Sequence, residues 1–355
     1  MRNLKRTLSL ALAAIMLVGM MVVSASAASY NNLTDKDEIV NKDAVSMLVS
    51  LGIIEGKPDG SYGPTENVDR AQMAKMLSVI MNKGVDNSAL YQSVNSGLTD
   101  ITSNWAKGHI NYCYTTGIIA GRGNGTFDPS ATVTALEAAK MLLVAVGYDP
   151  AIEGFEGADW AINVSVRADE QGIFEGFTKD LSAPLNRDDA ALLIYNALDV
   201  EMIQSYTTNN YPIVYSDHRT ILSDKYGVIK VEGVVTANEW AILDDDTDTA
   251  LQEGKTRIYN PDGILSTTGN TAVAQDFSAN VKTQVFKVST PVDMLGKAVT
   301  MYVKKTTILA DSTVYGAPVV SDVNTVIETG EKVTGGDSKD GDSLAALLKG
   351  TGLAT

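Results

Sequence analysis

Apolar positions between residues 29 and 200 recur at helical spacing, in paired stripes separated by glycine-rich turns. Val45, Leu48 and Val49 make an i, i+3, i+4 stripe, and Ile110, Cys113 and Tyr114 make another. Gly52 and Gly117 follow these stripes, where a left-handed residue ends a helix, and Gly56 and Gly60 then let the backbone turn without a side-chain clash. A second helix opens behind each turn. Thr134-Ala135-Leu136-Glu137 is a full capping box, and Asp69-Arg70-Ala71-Gln72 and Asn186-Arg187-Asp188-Asp189 are weaker versions. Behind the box, Met73, Met76, Leu77 and Ile80 line one face, matched by Ala138, Met141, Leu142 and Ala145; methionines at this spacing read as core filler.

These stripes belong to a repeat. Leu33-Thr34-Asp35 returns as Leu98-Thr99-Asp100, Gly52 to Gly56 as Gly117 to Gly121, Gly60 as Gly125, Pro64 as Pro129, and Ala74-Lys75-Met76-Leu77 as Ala139-Lys140-Met141-Leu142, all displaced by 65 residues. A third, divergent copy follows at a displacement of 55, with Trp105, Gly117 and Gly121 returning as Trp160, Gly172 and Gly176. Its later half is compressed. Ser165 and Asp169 also replace the apolar Ile110 and Tyr114, so its first helix is expected to pack less well. Residues 84–97, which join the first two units, are polar with Leu90 and Tyr91 inside and read as a surface loop.

After about residue 200 the period changes to two. Residues 227–236, 257–259, 283–288 and 299–304 carry the alternation and β-branched bias of strands, with Asp262-Gly263 and Gly269-Asn270 as turns and residues 222–226 as a short connecting helix. The fold class expected is α+β. A helical region of three hairpin repeats (28–83, 98–149, 150–200) precedes a β-rich domain at 201–334, with 335–355 as a Gly/Asp-rich linker and the start of a further, interrupted domain.

Composition narrows the chemistry. Among 355 residues there are two histidines, His109 and His218, and one cysteine. An intrachain disulfide and a CxxC metal site are therefore excluded, and Cys113, on an apolar stripe, reads as a small buried hydrophobe. No cofactor, metal site or catalytic residue is expected. Asp244-Asp245-Asp246-Thr247-Asp248 offers oxygen atoms to calcium but lacks the spacing of an EF-hand, and reads as a solvated hairpin tip. Asp217-His218 reads as a surface loop.

Arg2, Lys5 and Arg6, an apolar run from Leu8 to Val23, and Ala25-Ser26-Ala27 have the order of a signal peptide cleaved after residue 27. Its removal takes three basic residues from 28 and none of the 43 acidic ones, so the net charge falls from −15 to −18. Such a polyanion repels nucleic acid, and nothing later in the chain is apolar enough for a transmembrane anchor. Retention at a cell surface then requires binding.

Arg70 and Arg187 fall at the first position of their predicted helices, beside free backbone N–H groups and the positive end of the helix dipole. A cation is mildly unfavourable there. A carboxylate or phosphate partner accounts for it better than solvation alone.

The succession D-x4-W, G-I-I-x-G-x-x-x-G-x-F/Y-x-P and T-R-A-E resembles the S-layer homology (SLH) module of bacterial surface proteins, over about residues 29–200. The resemblance implies three tandem modules in a pseudo-threefold bundle around a three-helix core. It also implies noncovalent anchoring to secondary cell-wall polysaccharide bearing pyruvate ketals, with self-association in a surface layer as a further partner mode. The sugar-contacting positions it implies are Arg70 and Arg187, the opening Asp35, Asp100, Trp105 and Trp160, and the turn glycines Gly56, Gly121 and Gly176. Val40 stands where the first unit should have Trp, Phe155 where the third should have Asp, and Ala135 where the second should have Arg. No unit is complete, and grooves between units hold at most two arginines. Trp105 and Trp160 suit core burial and sugar stacking about equally. Residues 226–238 and 294–299 are similar to segments of surface proteins with these modules, which implies a surface β-domain of no assigned activity. The alternative is a wall-bound enzyme, such as a glycoside hydrolase, with its catalytic part at the C-terminus. Its pair of carboxylates normally needs a larger scaffold.

Overall fold

The structure, a computed structural model, describes residues 30–243, 250–264, 281–304 and 312–321. The leader, the acidic run at 244–248, the turn at 269–270 and the tail from 322 onward lie outside the described residues. The chain divides into two compact units after Val228. Residues 201–228, expected to open the β-rich domain, therefore fall with the helices.

The first unit contains α1 (Lys42–Ser50), α2 (Arg70–Met81), α3 (Lys107–Thr115), α4 (Ala135–Val146), α5 (Trp160–Glu170) and α6 (Arg187–Leu198). Capping sets the second helix of each repeat. Both Asp69/Gln72 and Thr134/Glu137 close reciprocal capping boxes, and Asn186 accepts from the Asp189 N–H. Gly52, Gly117 and Gly172 end the first helices with φ of 71°, 79° and 71°, the left-handed region where glycine escapes the Cβ clash.

Packing joins neighbouring repeats. α3 lies on α2, α5 on α4, and α1 returns to α6, so the ring of hairpins closes on itself. The residues ahead of the second helices close a smaller cycle of backbone hydrogen bonds: Val68 N–H to Leu185 O, Leu185 N–H to Val133 O, and Val133 N–H to Val68 O, at 2.8, 2.8 and 2.9 Å. All three side chains are buried, so the cycle is shielded from water. The core includes Val45, Leu48, Met73, Leu77, Ile110, Cys113 and Leu142. α5 buries only Val164 and Ala168 and leaves Ile162 and Val166 exposed, the thin packing its sequence predicts.

The connection between the first two repeats is more ordered than a surface loop. Its 3-10 turn, Ser88–Tyr91, presses on α3, where the buried Asn111 amide donates to Tyr91 O and Val94 O, both at 2.9 Å. Leu90 stays exposed. A hairpin of β1 (Ile203–Tyr206) and β2 (Pro212–Val214) follows α6, and the Tyr206 hydroxyl donates to Glu153, which also accepts from Arg167.

The second unit is a five-stranded sheet of β3 (Val228–Ala237), β4 (Thr256–Tyr259), β5 (Thr283–Phe286), β6 (Ala298–Lys304) and β7 (Val314–Val320), in the order β5-β4-β3-β6-β7. β4 pairs antiparallel with β3 and β5, and β6 with β7. Val231, Val235, Ile258, Phe286, Met301 and Val303 form its core. β1, β2 and β7 carry no clear strand pattern in the sequence; each is short or contains Pro212 or Pro318, which masks alternation. Among the described residues no helix is long and apolar enough to cross a membrane, and no cluster of three or more His, Cys, Asp or Glu side chains is placed to hold a metal.

Candidate functional site: a cationic cleft between repeats

Arg70 and Arg187 do open α2 and α6, but the helix ends beside them are not free anion sites. The Arg70 and Ala71 N–H groups donate to Ala131 O and Pro129 O, and the Gln72 N–H to the Asp69 cap. Arg187 and Asp188 likewise donate to Glu66 O and Pro64 O. The expectation of open N–H groups fails because the next repeat supplies carbonyls to them.

The guanidinium groups follow the same rule. Arg70 Nε donates to Phe127 O at 2.9 Å and Nη2 to Ala120 O at 2.8 Å, with Cζ 4.4 Å from the centre of the Phe127 ring. Arg187 Nε donates to Tyr62 O at 2.8 Å and Nη2 to Glu55 O at 3.3 Å, with Cζ 4.7 Å from the Tyr62 ring. Each arginine therefore clamps the glycine turn of the following repeat. Arg70 is only 4 % exposed. Burial, with Arg122 nearby, brings its pKa down to about 10, which leaves it charged at neutral pH.

Beyond this clamp lies a cleft of about 600 Å³ whose walls come from all three repeats. The first gives Arg70. The second gives Gly121, Arg122, Glu137 and Lys140, and the third gives Phe155, Glu156 and Trp160. Lys140 Nζ donates to Phe155 O and lies 5.7 Å from the Trp160 ring, and burial lowers its pKa. Arg122 is held by Glu137 at 3.2 Å and Asp128 at 3.8 Å. Three cations and an indole lining one cleft suit a ligand that carries both a carboxylate and a sugar-like ring.

The remaining predicted positions separate. Asp35 accepts the N–H groups of Tyr62 and Gly63 at 2.7 and 2.8 Å, and Asp100 those of Phe127 and Asp128 at 2.9 and 2.7 Å. Burial works against their charge, but these paired backbone donors hold both carboxyls below the ordinary range. They staple the turns whose carbonyls the arginines grip, and neither lines the cleft. Gly56 and Gly121 serve close approach: an added Cβ would meet Leu33 Cδ2 at 3.0 Å or Thr126 O at 2.9 Å. Gly121 also lines the cleft, whereas Gly176 has a φ of 74° in the third turn. Trp160 is in the cleft, and Trp105 is 57 % exposed with its ring edge-on to His109. No sequence pattern marks Arg122 and Lys140 as site residues, because only the ring of repeats brings Arg70 to the cleft they line.

By the repeat correspondence, Arg187, the first turn with Glu55 and Lys57, Lys75 and Trp105 are the positions that match Arg70, the second turn, Lys140 and Trp160, and Arg187 does reach the first turn at Glu55 O. At the third junction Leu136 N–H meets Leu181 O, but Ala135 stands in the arginine position and Val40, 82 % exposed, in the tryptophan position. The two substitutions, which lie in different repeats, thus fall on one junction.

Cys113, His218 and Asp217, which the sequence singles out, have structural partners. The Cys113 thiol is buried against Ala74 O, and its pKa is raised by burial. His218 contacts Glu201 at 2.9 Å, and Asp217 holds Arg219.

The family model for the S-layer homology domain matches residues 32–74 and 97–139. The chain is 28 % identical over 270 residues to a cell surface protein of Thermoanaerobacter kivui, covering 75 % of this chain and 32 % of that one. It is 33 % identical over 113 residues to an S-layer protein of Bacillus licheniformis, covering 32 % and 12 %. Over 173 residues it is 30 % identical to an amylopullulanase of Thermoanaerobacterium thermosulfurigenes, covering 44 % and 9 %. The chain thus spans a third or less of the length of these relatives. Two S-layer homology domains, with relatives named as cell surface and S-layer proteins, make this chain an SLH-containing surface protein of the cell wall or surface layer.

Proposed function

We propose that the chain is a noncatalytic anchor. Residues 150–200 act as a third, divergent SLH module, and the three modules form a pseudo-threefold bundle that holds secondary cell-wall polysaccharide through pyruvate-ketal carboxylates. The observation that carries this reading is the cleft that Arg70, Arg122 and Lys140 line together with Trp160. The cations meet the ketal carboxylate and the indole face meets the sugar ring. The β-rich unit faces outward or contacts neighbouring copies in a surface layer.

Co-sedimentation of the full chain with purified wall sacculi tests the reading, before and after mild acid removes the ketals. The chain pellets with native walls and stays in the supernatant with stripped ones. Equal pelleting with both would remove the carboxylate from the account. The amylopullulanase relative keeps a wall-bound enzyme in view, although its likeness covers only 9 % of that protein; turnover of wall glycans by the full chain would favour that alternative.

A further inference from the structure

The junction that closes the ring is held differently from the other two. α2 meets α3 and α4 meets α5 as consecutive helices, whereas α6 meets α1 across 147 residues of chain. At the second position of α2, α4 and α6 stand Ala71, Leu136 and Asp188. Asp188 is only 5 % exposed, and its carboxylate reaches the residues that lead into α1. Oδ2 accepts from the Val40 N–H at 3.3 Å and from Asn41 Nδ2 at 3.1 Å, and Oδ1 accepts from the Asn41 N–H at 3.2 Å. The Asn41 side chain makes no cap of its own. The start of α1 is therefore tied down by an acid on α6.

These bonds hold the junction without balancing its charge. Asp35 and Asp100 take their paired backbone donors at 2.7–2.9 Å and are held below the ordinary carboxylate range, but the donors of Asp188 lie at 3.1–3.3 Å. Asp189 adjoins it on α6, and Lys179 is bonded to Asp189 instead. Arg187 spends its guanidinium on Tyr62 O and Glu55 O, and the Tyr62 hydroxyl donates to Arg187 O. Asp35, which bears on Tyr62 together with Asp188, is taken up by the first turn. On the other side α1 opens with exposed Lys42 and Asp43. Burial, and then the charges of Asp37, Asp43 and Asp188, raise the pKa of Tyr30. Burial, with Asp189 adding to it, likewise raises the Asp188 pKa against the pull of the Asn41 and Val40 donors and Lys179.

We propose that Asp188 is a proton-sensitive latch on the α6–α1 junction: its oxygen atoms hold α1 to the ring, its ionised charge works against that hold, and protonation closes the ring more tightly. A protonated carboxyl keeps a carbonyl oxygen that accepts from Val40 and Asn41. As pH falls, the folded chain takes up this proton before the unfolded chain does. The junction therefore gains stability as pH drops through the raised folded value toward about 3.9, opposite in sign to a buried neutral histidine.

Amide exchange of the full chain, followed by mass spectrometry at stepped pH and corrected for intrinsic rates, compares wild type with Asp188→Asn and Asp188→Ala. Asparagine keeps an acceptor without the charge, and alanine, which α2 has at this position, keeps neither. At pH 7 α1 exchanges more slowly in Asp188→Asn than in wild type, and the two converge as pH falls toward about 4. Loss of the acceptor in Asp188→Ala speeds exchange of α1 roughly tenfold at every pH, with α5 unchanged. Exchange in Asp188→Asn that equals or exceeds wild type at pH 7 overturns the inference, as does unchanged exchange in Asp188→Ala. If the alanine variant does not fold, the asparagine comparison decides alone.

Discussion

Removing Arg70 separates a clamp from a surface ligand. Read from sequence alone, replacing Arg70 and Arg187 by alanine should weaken polymer binding and leave the helices intact. The structure changes that expectation for Arg70. Its guanidinium makes two hydrogen bonds to backbone carbonyls and covers the Phe127 ring. Charged hydrogen bonds contribute about 1.5–3 kcal/mol each, and a desolvated cation–π contact about 2 kcal/mol. Relief of the buried charge offsets part of this, so Arg70→Ala is expected to cost about 3–5 kcal/mol. For a helical unit of this size that is a fall in thermal midpoint of roughly 10 °C. Arg187 is less buried and its second bond is longer, at 3.3 Å, so Arg187→Ala should cost about 1–2 kcal/mol. Arg70→Lys keeps the charge but cannot reproduce the planar fork, and should fall close to the alanine variant. Scanning calorimetry of the three variants checks the ranking. An Arg70→Ala midpoint within about 2 °C of wild type would show that the clamp is energetically idle.

Two further predictions concern the packing of the first two repeats. His109 is buried, its Nδ1 is 2.6 Å from Ser78 Oγ, and burial lowers its pKa, with Lys75 acting in the same direction and Asp86 opposing. The unfolded chain therefore takes up the proton first, so stability falls as pH drops below about 6.5 toward the lower folded value; denaturant midpoints at stepped pH should show this slope, and His109→Gln should reduce it. At Gly108 an added Cβ would lie 2.1 Å from Ser88 O, so Gly108→Ala must push the 88–91 turn away from α3. A loss of about 2–3 kcal/mol is expected, with faster amide exchange at residues 88–94; unchanged protection there would show that the turn is not held by this contact.

Local patterns were legible in the sequence because helix stripes, caps and left-handed glycines depend on neighbours a few residues away. Thr134-Glu137, Gly52, Gly117 and the strands near 228–237 and 298–304 belong to this class. The repeat displacement also exposed every gap, Val40, Ala135 and Phe155 included. What the sequence left open was which gap meets which. An arginine reaches the turn of the next repeat, and the cleft wall is completed by the tryptophan position of the one after. Only the closed ring of helix pairs therefore brings Arg70 and Trp160 to one cleft. The role of Asp35 and Asp100 was hidden for the same reason: their partners are backbone N–H groups 27 and 28 residues away, to which side-chain patterns are blind. Sequence alone determined the hairpins and their charges. Tertiary closure decided which charges share a cleft, because that depends on distances across the ring and not along the chain.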